Sequence, residues 1–367
     1  MGDITVETLR DWLAEHKPVT VLDVRAQEDR DQWSIPGSIH VNAYGSLKQG
    51  RGDALADIEI PARGPIVTVC GHGKLSRIAA EQLRARGMDA VSLIGGMQAW
   101  SLAWNVAEVP LAVSGARLLQ IRRTGKGCLS YILGSEGSAA VVDASLEPSV
   151  YARLAEAHGW RIRYVLDTHV HADHFSRSKI LAEESGATLL LPEQHRVHFD
   201  FSPLSDGAAV QVGSAAFSAL RTPGHTVEST CYLLNDSCLM TGDTLFLGAV
   251  GRPDLHAKGS EARERASLLF RSLCRLRLLP QHLLVLPAHT SMPVEFDGVP
   301  LAESLEDVFA RLSDWFTSED GFVTRLLSRL PPEPPNYLQI VDLNERGDSP
   351  TMDVTELEAG ANRCAVY

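Results

Sequence analysis

The stretch THVHADH, residues 168–174, is the part of this sequence from which the fold can be inferred. It follows the apolar run 164–166, which predicts a buried strand that ends where the motif begins. Side chains alternate along an extended chain, so alternate members of the motif are expected on one side, and its last histidine joins them as the chain turns. Imidazole and carboxylate groups are typical ligands of zinc and iron. We therefore favour a metal site over a polar loop, with these candidate ligands: His169, His171, Asp173 and His174.

Three later fragments add one candidate ligand each. They are TPGHT (222–226), TGDTLF (241–246) and PAHT (287–290), and they contribute His225, Asp243 and His289. Each fragment follows a segment with strand character and places its His or Asp beside Gly, Pro or Thr. Together and in this order, the four pieces resemble the metallo-β-lactamase superfamily over residues 116–345. The resemblance implies an αββα sandwich, in which helices cover two facing sheets.

Length and composition limit the classes of function. A chain of 367 residues predicts two domains, and 44% hydrophobic with 22% charged residues is typical of a globular protein. The net charge of −12, without a Lys/Arg cluster, argues against a nucleic-acid partner. No apolar run approaches the roughly 18 residues of a spanning helix, and no signal peptide is visible, so no membrane partner is expected. Six scattered cysteines without a CxxC pair indicate reduced thiols, which predicts a cytoplasmic location, with an organelle matrix as the alternative.

Strands and helices alternate in the first part of the chain. A helix is predicted at 5–16, and buried strands are predicted at 19–24, 65–70 and 91–94. Another helix is predicted to begin at Ser76. This alternation predicts an α/β domain with a parallel sheet.

Cys70 is the candidate catalytic residue of this domain. It ends a predicted strand, and the loop and helix start that follow form a cradle of backbone N–H groups that stabilises a thiolate or persulfide. The alternative is a structural cysteine, because most free cysteines are simply buried. The order of strand, glycine-containing loop and helix favours the reactive cysteine. The loop residues are Gly71, His72, Gly73, Lys74, Leu75 and Ser76.

Four motifs in this half resemble a single rhodanese domain, a sulfurtransferase, over residues 1–107, with a linker at 108–115. The motifs are LDVR (22–25), IPGSIHV (35–41), VCGHGKLSR (69–77) and LIGGMQAW (93–100). The resemblance implies that Cys70 carries a sulfane sulfur as a persulfide and passes it between thiosulfate, sulfite and thiols. Leu75 stands where many members have arginine, which weakens the expectation that thiosulfate is the donor.

The predicted metal ligands allow two arrangements. In a dinuclear hydrolase, a shared hydroxide attacks an ester. One metal is then held by His169, His171 and His225, the other by Asp173, His174 and His289, and Asp243 bridges the two. In a mononuclear site, two histidines and one carboxylate hold iron and leave positions for substrate and O2. The second domain resembles persulfide dioxygenases most. This resemblance implies that His169, His225 and Asp243 are the metal ligands. The other four candidate residues then orient the ligands or hold water.

Three features favour the dioxygenase. The segment Gly251-Arg252-Pro253-Asp254 matches a Gly-Arg-x-Asp signature of persulfide dioxygenases. The C-terminal segment lacks the basic helical glutathione-binding domain of the thioester hydrolases. Fusion to a rhodanese-like domain adds matching sulfur chemistry by association. Arg252 is a candidate contact for a glutathione carboxylate, and a loop-fixing ion pair with Asp254 is an equal alternative.

The preferred hypothesis is a persulfide dioxygenase with one Fe(II) per chain, which oxidises glutathione persulfide with O2 to sulfite. Cys70 either makes this persulfide from a donor or loads sulfane sulfur onto sulfite to give thiosulfate. One alternative is a hydrolase of glutathione thioesters, of the glyoxalase II type, with one or two zinc ions. Another is a sulfur carrier or regulatory module whose β-lactamase-like domain only binds a partner. A homodimer is allowed, and the tail at 346–367 has no interpretation from sequence.

Overall fold

The structure, a computed structural model, describes residues 2–56, 58–61, 63–360 and 362–367. The first domain contains α1 (Val6–Ala14), β1 (Thr20–Asp23), α2 (Gln27–Gln32), β2 (Ile39–His40), α3 (Tyr44–Lys48), β3 (Ile66–Val69), α4 (Lys74–Ala85), β4 (Ala90–Ser92) and α5 (Gly96–Trp100). Its strands form one sheet in the order β2-β1-β3-β4, and every neighbouring pair is parallel. The predicted parallel α/β sheet is confirmed.

Helix α4 begins at Lys74, two residues before the predicted start at Ser76. The reason is Gly73, which has a φ of 83° and turns the chain into the helix early. Glycine adopts this left-handed conformation without steric cost. The earlier start brings the positive end of the helix closer to Cys70.

The second domain begins with a seven-stranded sheet. Its elements are β5 (Asn105–Val109), β6 (Ala116–Arg123), β7 (Cys128–Ser135), β8 (Ser138–Val142), α6 (Pro148–Ala157), β9 (Arg161–Leu166), α7 (Ser178–Ser185), β10 (Thr188–Pro192) and β11 (Ser202–Leu204). The strand order is β11-β10-β9-β8-β7-β6-β5. Strand β5 pairs antiparallel with β6, and it runs across residue 107 into the segment predicted as a linker. The segment that leaves the first domain is thus an edge strand of the second.

The rest of the described chain forms a second sheet, a two-stranded sheet and the remaining helices. Its elements are β12 (Ala209–Val212), β13 (Ala215–Arg221), β14 (Thr230–Leu234), β15 (Cys238–Gly242), β16 (Val250–Gly251), α8 (Ser260–Leu276), β17 (Leu284–Pro287), β18 (Glu303–Ser304), α9 (Leu305–Arg311), a 3₁₀ turn (Ser313–Trp315), α10 (Glu319–Ser328), α11 (Tyr337–Arg346), α12 (Val354–Leu357) and β19 (Ala365–Val366). Six strands lie in the order β12-β13-β14-β15-β17-β18, and β16 pairs with β19.

The two sheets of the second domain face each other across an apolar core. Leu118 and Tyr131 of the first sheet lie in one buried cluster with Phe217, Tyr232 and Met240 of the second. Helices α6 and α7 cover the outer face of the first sheet, and α8, α9 and α10 cover that of the second. Removal of this apolar surface from water stabilises the layers. No helix within the described ranges is both long and apolar enough to cross a membrane.

The candidate ligands follow strands that end at one edge of these sheets. The motif 168–174 follows β9, Asp243 follows β15 directly, and His289 lies two residues after β17. An isolated bridge between Cys128 and His289 joins the two sheets at this edge. The strand ends therefore bring together residues that are far apart in the sequence.

Candidate metal centre

All seven predicted ligands lie in one buried region, and each is at most 3% exposed. They fall into groups whose ligand atoms lie within 4.8 Å of one another. The groups are His169, His225 and Asp243; Cys128, Asp173, His174 and His289; and Asp143, Asp167 and His171. Three members, Cys128, Asp143 and Asp167, were not among the predicted ligands.

The group of His169, His225 and Asp243 has the dimensions of a three-residue metal site. Nε2 of His169 lies 3.7 Å from Oδ2 of Asp243, and Nε2 of His225 lies 3.5 Å from the same oxygen. Ligands about 2.1 Å from a tetrahedral ion lie roughly 3.4 Å apart, so an ion fits between these atoms. Among the described residues, Nε2 of His169 and Oδ2 of Asp243 have no hydrogen-bond partner. Because buried polar atoms without partners are costly, a bound cation is the arrangement that satisfies them.

Hydrogen bonds determine which nitrogen of each imidazole faces the ion. His225 Nδ1 donates to the Arg252 carbonyl at 2.7 Å, which leaves the lone pair on Nε2. His169 Nδ1 lies 2.9 Å from the Thr168 hydroxyl, and that hydroxyl donates to Asp143 at 3.0 Å, so it accepts from Nδ1. Burial lowers the pKa of both histidines below the ordinary value, which keeps the rings neutral. A neutral imidazole whose second nitrogen is hydrogen-bonded is the usual metal-binding form.

Asp173 is the centre of the second group. Its Oδ2 lies 2.7 Å from His289 Nε2 and 3.6 Å from Cys128 Sγ, and its Oδ1 lies 3.0 Å from His174 Nδ1. Although Asp173 Oδ2 and His289 Nε2 are only 2.7 Å apart, their geometry is not that of a hydrogen bond. His289 Nε2 therefore has no hydrogen-bond partner among the described residues. Burial and Asp173 raise the pKa of the Cys128 thiol, but the imidazoles of His174 and His289 outweigh them and lower it to about 6. This donor set is chemically suited to a second cation.

His289 connects these two groups. Its Nδ1 lies 2.6 Å from Oδ1 of Asp243, while its Nε2 faces Asp173. Burial lowers the pKa of His289, but the two carboxylates outweigh burial and raise it well above the ordinary value. Because Asp243 belongs to the first group, the ring couples the two groups directly.

His171 lies against carboxylates in the third group. Its Nε2 is 3.2 Å from Asp143 and 3.9 Å from Asp167. Asp143 also accepts from the backbone N–H of Thr168 at 2.7 Å, so it holds the first residue of the motif. The φ of Asp143 is 55°, which is a strained value for a residue with a side chain. These contacts orient the loop that carries the ligands.

The C-terminal tail packs behind this loop. Glu358 pairs with Arg123 at 2.6 Å and with Arg177, and it accepts from the Phe175 N–H at 2.9 Å. Burial raises the pKa of Glu358, but the two guanidinium groups outweigh burial and lower it to about 2. Sequence reasoning missed this contact because the tail has no periodic pattern that points to the ligand loop.

Two further tail residues reach the ligands themselves. Asn362 Nδ2 donates to Asp173 Oδ2 at 3.0 Å. Burial, and then the carboxylates of Asp243 and Asp173, raise the pKa of the Cys364 thiol well above the ordinary value, so this thiol is neutral. Pairing of β19 with β16 holds both residues beside the centre.

Arg252 and Asp254 form a loop ion pair. Arg252 is 1% exposed. It donates to both carboxylate oxygens of Asp254, at 2.8 and 2.7 Å, and to the carbonyls of Pro332 and Arg363. This bidentate contact is the loop-fixing ion pair with Asp254, the second of the two alternatives that the sequence left open. It fixes the backbone whose carbonyl orients His225.

Cys70 lies where the sequence placed it, between β3 and α4, and is 4% exposed. Its Sγ lies 3.4 Å from Ser76 Oγ, which in turn lies 2.8 Å from Ser92 Oγ. The Met97 N–H donates to the Cys70 carbonyl at 2.8 Å. A Cβ on Gly96, whose φ is 58°, would lie 2.2 Å from that carbonyl oxygen, so only glycine allows α5 this approach. Around Cys70, His72 and Lys74 are exposed and Leu75 is half-buried.

Two family descriptions match the chain. Residues 5–103 match the rhodanese-like domain, and residues 123–289 match the metallo-beta-lactamase superfamily. A hydroxyacylglutathione hydrolase of Methylococcus capsulatus is 36% identical over 165 residues, 43% of this chain and 60% of that protein. The chain spans only 51–60% of the length of four such hydrolases.

A second kind of relative is matched over more of its length. The mitochondrial persulfide dioxygenase ETHE1 of Bos taurus is 30% identical over 197 residues, 49% of this chain and 75% of that protein. The crystal structure of ETHE1 from Myxococcus xanthus superimposes with a TM-score of 0.53 and 27% identity, over 66% of this chain and 98% of that one. The chain therefore belongs to the metallo-beta-lactamase superfamily, and it carries an N-terminal rhodanese-like domain.

Proposed function

We propose that the second domain is a persulfide dioxygenase with one Fe(II) per chain, and that Cys70 transfers sulfane sulfur in the first. The observation that carries this proposal is the buried group of His169, His225 and Asp243, in which two neutral imidazoles and one carboxylate converge. Two histidines and one carboxylate on one side of an ion are typical of iron(II) oxygenases, because the other positions stay open. The match to ETHE1 over 75% of its length supports the same proposal. The two facing sheets and their outer helices fit the αββα sandwich of this class.

The residues around the centre have separate tasks in this proposal. His169, His225 and Asp243 would hold iron(II), which would supply the redox chemistry between a persulfide sulfur and O2. His289 holds Asp243 through its Nδ1, and the Arg252 carbonyl holds the His225 ring, so both ligands keep their orientation. Burial of every ligand excludes bulk water from the reacting sulfur. The expected products are the free thiol and sulfite, which contains both atoms of O2 and one oxygen from water.

Cys70 performs the sulfur transfer. Its thiolate attacks the outer sulfur of a donor such as thiosulfate, the donor S–S bond breaks, and sulfite leaves with the electron pair. The new persulfide lies at the start of α4, where backbone N–H groups and the helix dipole stabilise its charge. An acceptor thiolate then takes the outer sulfur and regenerates the Cys70 thiolate. In the preferred direction the acceptor is glutathione and its persulfide is the substrate of the second domain.

A second candidate is a dinuclear zinc hydrolase of glutathione thioesters. The observation that favours it is the group of Asp173, His174 and His289 next to the first group, together with the hydrolase relatives at up to 38% identity. In that arrangement Asp173, His174 and His289 would hold a second zinc ion, and the two ions would supply a hydroxide nucleophile. Metal content separates the candidates, because the dioxygenase needs one iron and the hydrolase needs two zinc ions.

The test is oxygen uptake by anaerobically iron-loaded protein after addition of glutathione persulfide. Rapid uptake with sulfite formation is expected, and His225→Ala should reduce it by more than about 100-fold, since loss of even a residue that orients a ligand costs 10- to 100-fold. No uptake, with zinc-dependent hydrolysis of S-lactoylglutathione instead, would replace the dioxygenase by the hydrolase.

A further inference from the structure

A cavity of about 460 Å³ lies between the two domains, apart from the residues of the metal centre. Its first wall is the Cys70 loop, through Gly71 and His72, with the start of α5. Its second wall is the turn at Gly125 and Lys126, its third is the tail segment 355–360, and its fourth is formed by residues of the segment 25–33. Small-molecule sites have volumes of roughly 300–1,000 Å³, so this cavity has room for a ligand the size of a tripeptide.

The first wall adjoins Cys70 along the chain. The Gln98 N–H donates to the Gly71 carbonyl at 2.9 Å, and Gly71 is the residue directly after Cys70. The Gln98 side chain crosses to the tail and donates to Thr355 Oγ1 at 3.0 Å. The cavity is therefore bordered by both domains and the tail, and the two residues that follow Cys70 line it.

The polar groups of the cavity carry both signs of charge. Asp29 of the first domain and Glu356 of the tail line it, and both side chains are exposed. Lys126 also lines it and is 4% exposed. The Lys126 ammonium donates to the carbonyls of Glu358 at 2.7 Å and Gly360 at 3.3 Å. An ammonium has three N–H donors, so the described residues leave one of them for a ligand.

We propose that this cavity binds the acceptor thiol of the Cys70 reaction, and that the acceptor is a small zwitterionic peptide thiol such as glutathione. Asp29 and Glu356 recognise its ammonium group, and Lys126 with His72 recognises its carboxylates. Thiosulfate and simple thiols need none of these contacts. The inference rests on the sulfur transfer by Cys70 in the proposed function, and it adds the site that selects the acceptor.

The proposed reaction is a single sulfur transfer from Cys70 to the peptide thiol bound beside its loop. The thiolate of the peptide attacks the outer sulfur of the Cys70 persulfide, and a new S–S bond forms on the peptide. The bond between Cys70 Sγ and the outer sulfur breaks, and Sγ leaves as a thiolate. The proton of the acceptor thiol passes to solvent. No oxidant is required, because the sulfane sulfur keeps its oxidation state.

The test measures single-turnover transfer from Cys70 in the full-length protein. The protein is loaded with sulfane sulfur by inorganic polysulfide, desalted, and mixed with either reduced glutathione or 2-mercaptoethanol, with Cys70→Ser as the blank. Asp29→Asn and Glu356→Gln should each raise the half-saturating glutathione concentration about 2- to 5-fold, the size of one exposed ion pair, and the double variant should raise it further than either single variant. Transfer to 2-mercaptoethanol should stay unchanged, because it has no ammonium group.

The matched controls are Asp236→Asn and Glu264→Gln, two exposed carboxylates outside the cavity. Equal effects on both thiols, equal effects of the controls, or no transfer to glutathione would overturn the proposal. Oxygen uptake with externally supplied glutathione persulfide is measured on the same variants. If oxygen uptake is absent while the variants still raise the half-saturating glutathione concentration, the proposed dioxygenase fails and the acceptor site stands. If uptake is normal while the glutathione effect is absent, the acceptor site fails alone.

Discussion

Replacing Glu358 by glutamine is expected to destabilise the second domain by about 3 kcal/mol at pH 7. The side chain is 0% exposed and pairs with Arg123 and Arg177, which are 0% and 2% exposed. The pKa of Glu358 is lowered from 4.5 to about 2. At about 1.4 kcal/mol per pKa unit this corresponds to about 3 kcal/mol. The cost of breaking a buried ion pair, about 3–5 kcal/mol, leads independently to a similar value.

The sign of the pH dependence follows from the lowered pKa. The contribution of Glu358 is fully present above about pH 4.5, and it is lost as the pH falls toward about 2, because the folded state then binds the proton that the unfolded state already holds. Glutamine does not titrate. The difference in stability between the wild type and Glu358→Gln should therefore shrink below pH 4.5.

The assay is scanning calorimetry on metal-free protein, because a bound metal would add its own stabilisation. The transition of the second domain should fall by about 6–12 °C, at 2–4 °C per kcal/mol for a domain of this size. The matched control is Glu356→Gln, since Glu356 is exposed on the same tail segment. A shift below about 1 kcal/mol for Glu358→Gln, or equal shifts for both variants, would refute the argument that the buried ion pair anchors the tail.

Three further predictions concern the two centres. Gly251→Ala should lower iron retention, measured by metal analysis after dialysis, because the new Cβ would lie 2.0 Å from the Asp243 carbonyl oxygen. The control Gly248→Ala should retain iron, since the nearest neighbour of its new Cβ is an arginine side-chain carbon at 3.6 Å. Equal iron retention by the two variants would refute the predicted clash. Asn362→Ala removes the 3.0 Å donor to Asp173 and should lower oxygen uptake about 10-fold at a temperature where the variant is still folded, whereas the exposed Gln339→Ala should have no effect. A loss caused only by unfolding would contradict a positioning role. Cys70→Ser should abolish sulfur transfer and leave oxygen uptake on supplied persulfide intact. The control is Cys274→Ser, at a half-buried cysteine. Loss of oxygen uptake in Cys70→Ser would show that the second domain depends on Cys70.

Much of the fold was accessible from local patterns. The parallel sheet of the first domain, and the strands that precede the candidate ligands, follow from apolar runs separated by turn residues, because burial of a strand is encoded in the residues of that strand. The start of α4 was placed two residues late, since the left-handed turn at Gly73 depends on packing against Gly95. The pairing of β5 with β6 was also missed, because an edge strand carries no local mark of the sheet that it joins.

The sequence by itself determined which side chains are available to the two candidate centres. Cys70 at a strand end, and the histidines and aspartates of the ligand motifs, are recognisable because a residue's side chain and its place after a strand are local properties. Only the tertiary structure decided how the ligands divide into groups and that Cys128 joins one of them. It also decided that a tail more than 180 positions away supports the ligand loop through Glu358 and Asn362. These contacts depend on how sheets and tail close upon one another, and the periodicity of a single strand or helix does not encode the approach of distant segments.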